Sequence, residues 1–163
     1  DLLPEEAGTI MEWPSLSTVT FYRGTPPASH IRERLGRLLS ANPWLAGRLR
    51  HDRRRVWLSL PGPPGQIYEV EGHFTEWSTR ELRRQQSMES MRRAVEGLVV
   101  KTGEGCVNQD EPLFRVAVVC SEPGEFAIVV SLSHVLGDGH TYYQVYSSLG
   151  LDTGLRPLNP FRK

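Results

Sequence analysis

The sequence predicts an α+β fold, a mixed α/β two-layer sandwich in which two long helices pack on a largely antiparallel sheet. Three observations predict it. Apolar residues recur at helical spacing over Ala28–Ala41, at Ile31, Leu35, Leu38 and Leu39, and again from Ser78 or Thr79 to about Val100, at Leu82, Met88, Met91, Val95 and Leu98. Two apolar, β-rich runs, "LFRVAVVC" and "EFAIVVSL", are joined by "SEPG", the pattern of a β-hairpin. The elements follow the order β-α-β-β-α-β-β-α, which interleaves helices with strands.

Each element has a local reason. The first dozen residues read as irregular, broken by Pro4 and Pro14. "STVTFY" (Ser17 to Tyr22) is rich in β-formers and reads as a strand. "RGTPPAS" is a loop whose prolines open the first helix, and Asn42-Pro43 closes that helix. "RVWLSL" (Arg55 to Leu60) reads as a second strand ended by "PGPPG", with "QIYEVEG" (Gln66 to Gly72) as its hairpin partner. Ser78 or Thr79 is the expected cap of the second helix. "KTGEGCVNQDEP" is a loop before the apolar hairpin, which is apolar on both sides and therefore expects cover on both faces. A last helix runs from Gly139 to Leu149 after a turn, followed by an extended tail, "GLRPLNPFRK".

Composition narrows the function. The 163 residues suit one domain, and 39% hydrophobic content supports a packed core. Nineteen basic residues balance nineteen acidic ones, which argues against nucleic acid as the main partner, since neutralising phosphates needs a basic excess. The basic run "RLRHDRRR" (Arg48 to Arg55) reads as a solvated turn. Cys106 and Cys120 lie far apart with no metal-ligand spacing around them, so zinc is not expected and free thiols are. No apolar run approaches the roughly 20 residues needed to span a bilayer, so no transmembrane segment is expected. Nothing in the sequence assigns a compartment.

The chemistry-bearing residues concentrate in "SHVLGDGHTYYQVY", directly after the apolar strand. His134 stands at the strand end, where a neutral imidazole can accept a proton from a hydroxyl or an amine. Asp138 has two readings: it orients the ring, or it locks the turn by pairing with an arginine. Gly137 and Gly139 let the backbone fold tightly around it. His140 is expected on the helix surface. Tyr142, Tyr143 and Tyr146 are expected to pack on the sheet. With no G-x-S-x-G elbow and no cysteine beside a glycine-rich turn, a covalent nucleophile is unsupported. The bland alternative is a strand-end histidine that satisfies backbone groups.

"SHVLGDGHTYYQVYSSL" resembles the His-x-x-x-Asp-Gly signature of the chloramphenicol acetyltransferase-like superfamily, which includes BAHD acyltransferases and the condensation domains of peptide synthetases. "ANPWLAGRLR" (Ala41 to Arg50) is similar to the segment that follows the first long helix in BAHD enzymes. The resemblance implies one N-terminal lobe of a two-lobed enzyme over residues 1–163, with a core of about 17–149 and a tail of 150–163. It implies that the lobe transfers an acyl group from a thioester to a hydroxyl or amine, with His134 as general base, Asp138 holding the loop and Gly139 in the turn. Arg23 is the first expected partner of Asp138 and Arg48 the second. Condensation domains carry a second histidine before the base, and Ser133 stands there instead. No permanently bound cofactor is implied; acyl-CoA or an acyl-carrier thioester is the co-substrate and a small molecule the acceptor. The second lobe would come from a further C-terminal segment, another chain or a larger assembly. The alternative is a non-catalytic lobe acting as a structural or binding subunit.

Overall fold

A computed structural model of the chain describes residues 2–4, 7–53, 55–62, 68–150, 154–155 and 157–159. After a short 3-10 turn at Thr9–Glu12, the described elements run β1 (Leu16–Arg23), α1 (Ala28–Ala41), β2 (Arg48–His51), β3 (Val56–Ser59), β4 (Phe74–Ser78), α2 (Met88–Val95), α3 (Gly103–Cys106), β5 (Phe114–Glu122), β6 (Glu125–Leu132) and α4 (Gly139–Ser148).

The main sheet has the strand order β1-β6-β5-β4. Strands β1, β6 and β5 are antiparallel, with Leu16 opposite Leu132, Arg23 opposite Glu125, and Phe114 opposite Leu132. Strand β4 pairs parallel to β5, with Phe74 opposite Val116. The sheet is thus largely antiparallel, as expected. Its inner strands are covered on both faces, as their unbroken apolar character requires. On one face Ile31, Leu35, Leu38 and Leu39 of α1 and Tyr142 and Val145 of α4 share a core with Val116, Val118, Val130 and Leu132. On the other face Leu82 and Val95 pack with Ala117, Val119, Ala127 and Val129. Burying each large side chain of this kind contributes about 1.5–3 kcal/mol.

Helix α1 follows its apolar stripe, with Ile31, Leu35, Leu38 and Leu39 buried. Asn42 ends it by donating from its own backbone to Leu38 and Leu39, at 2.9 and 3.2 Å. Its side-chain oxygen accepts from the backbone of Leu158 at 2.7 Å, which ties the tail to the helix end. Met11 is buried in the main core, and Leu155 and Leu158 pack against it, so apolar contacts reach past both ends of the expected 17–149 core.

Three expectations need correction. The long helix from Ser78 or Thr79 is an eight-residue helix, α2, capped by Ser87, whose hydroxyl accepts from the backbone of Ser90 at 3.2 Å. Ser78 instead ends β4, and the backbone of Thr79 extends that pairing by donating to Cys120 at 3.0 Å. The pairing comes from residues some forty positions away, so no local pattern announces it. The hairpin partner of β3 is β2, with Leu49 opposite Leu58, and not the segment after "PGPPG". Tyr68 and Val70 of that segment are buried without strand pairing, and Gln66 and Ile67 fall outside the described residues. The basic run is therefore half strand: β2 takes Arg48–His51, after which the backbone of Asp52 donates to Arg55 at 3.1 Å, with Arg54 outside the described residues. Cys106 is a buried free thiol and Cys120 a half-buried one. Among the described residues no helix is long and apolar enough to cross a membrane.

Candidate functional site

The site begins where β6 ends. Ser133 is buried, and its backbone donates to Leu113 at 2.8 Å, the last pairing before the chain turns. Its hydroxyl accepts from the backbone of Val135 at 3.3 Å, and its carbonyl accepts from Leu136 at 3.0 Å. These two bonds bend the chain within three residues. Val135 and Leu136 point into the core, which leaves His134 half-buried at the top of the turn. The imidazole is neither sealed in the interior nor adrift in solvent. The indole of Trp13 meets it edge to face, with ring centroids 5.2 Å apart and planes at 89°.

Asp138 caps α4. Its carboxylate accepts from the backbone of Thr141 at 2.9 Å, satisfying an amide that the first turn of a helix leaves unpaired. A negative charge at this end is also favoured by the helix dipole. So Asp138 holds the turn, but it does so through the helix start. Arg23 is not its partner. In the β1–β6 register Arg23 lies opposite Glu125, with which it pairs at 3.6 Å, at the far end of the sheet from the His134 turn. Seven residues of strand separate the two ends, about 23 Å at the usual rise. Arg48, the second expected partner, is engaged elsewhere. It donates to the carbonyls of Ala46 (2.8 Å), Gly47 (3.2 Å) and Asp110 (2.8 Å), and contacts the ring of His73 at 3.2 Å.

The two glycines of the turn have different roles. A side chain at Gly137 would meet Thr141 at 2.6 Å, so the turn closes on α4 only because that position is bare. Gly139, expected as the turn glycine, has open space around its Cβ direction and no positive φ. It is the exposed first residue of α4, so the tight approach belongs to Gly137. His140 faces solvent and pairs with Gln144 at 3.0 Å along the helix surface, as expected. Tyr142 donates to the carbonyl of Val130 at 3.1 Å and shares a hydrogen bond with Thr18 at 2.7 Å; Tyr146 reaches Thr20 at 2.9 Å. These two tyrosines lock α4 onto β6 and β1, and burial pushes the phenol of Tyr142 up to about 12. Tyr143 is exposed instead.

A second histidine escaped the sequence reading. His73 is 2% exposed, and burial drives its pKa down to about 4. The neutral ring donates from Nδ1 to the carbonyl of Phe114 at 2.7 Å, which leaves Nε2 to accept from Arg48. It joins the floor of an open cleft of about 480 Å³ together with Arg48, Arg50, Glu69, Glu71 and Asp110. In that cleft Arg50 pairs with Asp110, and Glu71 pairs with Arg32. Another open cleft, of about 570 Å³, lies at the β5–β6 turn. His134 lines neither of them.

No family model and no curated protein matches the chain. Solved structures do. A structure of the condensation domain that mediates chain release from the enacyloxin polyketide synthase is 16% identical at a TM-score of 0.54, covering 98% of this chain and 29% of that one. Polyketide synthase associated protein 5 from Mycobacterium tuberculosis is 15% identical at a TM-score of 0.59, covering 91% and 30%. The starter condensation domain of the rhizomide synthetase RzmA is 14% identical at 0.59, covering 91% and 34%, and was also solved, as a variant, in complex with C8-CoA. The X-domain from teicoplanin biosynthesis is 12% identical at 0.59, covering 89% and 28%, and was also solved in complex with OxyB. The chain spans about 30% of the length of these structures. At such identities the likeness is one of fold, and at that level it agrees with the resemblance carried by "HVLGDG" and "NPWLAGRL": this chain has the chloramphenicol acetyltransferase-like fold of condensation domains and X-domains, about one lobe of it.

Proposed function

We propose that this chain is an acyltransferase lobe that moves an acyl group from a thioester, on coenzyme A or a carrier protein, to a hydroxyl or amine acceptor. The carrying observation is the placement of His134: half-buried at a strand end, on a turn fixed by Ser133 and by the Asp138 cap. In the proposed step the neutral imidazole takes the proton of the acceptor as its oxygen or nitrogen attacks the thioester carbonyl. The tetrahedral intermediate then collapses, the C–S bond breaks, and the imidazolium returns the proton to the departing thiolate. Holding donor and acceptor together would supply more of the acceleration than the base. The facing wall would come from a second lobe, contributed by further sequence, another chain or a larger assembly. The neighbour solved with C8-CoA supports a coenzyme A thioester as donor.

The test uses the natural protein that carries this chain, octanoyl-CoA as donor and a panel of primary alcohols and amines. His134→Ala should lower thiol release by about 10²–10⁴-fold while the circular dichroism spectrum is retained. An unchanged rate would remove His134 from the chemistry. A second reading, a non-catalytic lobe that docks a partner, draws on the X-domain neighbour solved with OxyB. It predicts no thiol release with any acceptor and co-purification with another protein.

A further inference from the structure

We infer that Trp13 is a positioning residue for His134, held in place by the N-terminal segment; the inference rests on the reading of His134 as the base. Trp13 follows the 3-10 turn Thr9–Glu12, and its backbone donates to Ile10 at 3.2 Å. The segment is tethered on both sides of the indole.

On one side Met11 is buried and reaches the helix α3 that starts at Gly103. A Cβ on Gly103 would stand 2.8 Å from the Met11 sulfur, 3.0 Å from the Met11 Cα and 3.0 Å from Val135 Cγ2. Only a bare position lets the N-terminal backbone and the residue beside His134 meet there. On the other side a buried hydroxyl gathers the chain. Ser131 donates to Ser15 at 3.0 Å and accepts from Ser17 at 2.8 Å and from the backbone of Val100 at 2.9 Å. Ser131 lies on β6 three residues before His134. Both tethers therefore join the segment to the strand and turn that carry the imidazole.

Between them Trp13 stays 47% exposed while its ring touches His134 edge to face. A tryptophan serving only as core would be covered further. An edge-to-face contact of this kind favours one ring orientation over another by about 2- to 10-fold. A general base must bring one ring nitrogen within hydrogen-bond reach of the acceptor proton, so an imidazole free to rotate loses rate and not binding.

The experiment compares Trp13→Leu, Trp13→Phe and Gly103→Ala in the natural protein. The readouts are kcat and KM with octanoyl-CoA and the NMR signals of the His134 ring in histidine-labelled protein, identified by their loss in His134→Ala. Trp13→Leu should lower kcat about 10-fold with KM within about 2-fold, and should shift the His134 ring signals. Trp13→Phe should restore kcat to within about 3-fold of wild type, because a ring edge is restored. Gly103→Ala should shift the same signals by displacing Met11. Unchanged ring signals in Trp13→Leu overturn the inference, as does an unchanged kcat or a loss that phenylalanine does not restore. If the wild type itself transfers nothing, the proposed function fails, and the ring signals still decide whether Trp13 sets the imidazole.

Discussion

Two of the chain's five histidines, His73 and His134, sit in divergent environments. His73 is sealed, with both ring nitrogens engaged, one by the carbonyl of Phe114 and the other by Arg48. His134 is half-buried at a strand end, edge to face with an indole, on a turn held by the Ser133 hydroxyl and by the Asp138 cap. A ring locked neutral to about pH 4 is a fixed hydrogen-bond junction and a poor base near neutrality. A ring that reaches solvent from a rigid turn can meet a substrate. Burial and partner geometry, not residue type, separate a structural histidine from a candidate catalytic one.

The largest test of that contrast sets the two rings side by side. His134→Ala should cost about 10²–10⁴ in thiol release and little in stability. His73→Ala should do the reverse: it leaves the Phe114 carbonyl and an Arg48 N–H without their partner, and should lower the melting temperature by several degrees. If both variants lose rate alone, the structural assignment of His73 is wrong.

Next comes the pH dependence of stability. His73 titrates near 6.5 when unfolded and near 4 when folded, so between those values the unfolded chain binds more protons. Stability contributed by the neutral ring is complete above about pH 6.5 and is lost as pH falls toward 4. The loss amounts to about 3 kcal/mol. Denaturation midpoints measured from pH 7 to pH 4 should show this decline, and His73→Gln should flatten it. A decline of equal size in the glutamine variant would assign the effect to other groups.

A smaller effect separates the glycines. Gly137→Ala pushes a methyl into Thr141 and should cost about 1–3 kcal/mol. Gly139→Ala meets open space and should stay within about 0.5 kcal/mol. If Gly139→Ala nevertheless lowers thiol release while melting as wild type does, the bare position serves the substrate side of the turn.

The smallest effect concerns Asp138. Alanine there removes the cap of α4 and should cost about 1 kcal/mol, whereas asparagine caps nearly as well. A melting temperature for Asp138→Asn as low as that of Asp138→Ala would mean that charge, and not the cap, holds the turn.

Much of this was legible along the chain. The four-residue spacing of Ile31, Leu35 and Leu39 marks α1 because a helix returns to one face every turn. The runs "LFRVAVVC" and "EFAIVVSL" announce the central hairpin, since strands covered on both faces are apolar throughout. "SHVLGDG" flags His134, Asp138 and a glycine-bearing turn before a helix, whereas that Asp138 caps the helix came from the structure. Strand β4 was hidden: "FTEWS" is ambiguous alone and is made a strand by β5. The pairing of β2 with β3 competed with a neighbour of equal propensity.

What the sequence determined by itself is local: helical periodicity, the apolar hairpin, and a histidine and an aspartate on a glycine-bearing turn before a helix. Tertiary structure alone decided the rest. It set Arg23 at the opposite end of the sheet from Asp138, brought Trp13 against His134, and sealed His73 between Phe114 and Arg48. The physical reason is range. Capping and periodicity act within one or two turns of chain, while ring contacts, strand register and desolvation depend on residues that only the packed sheet brings together.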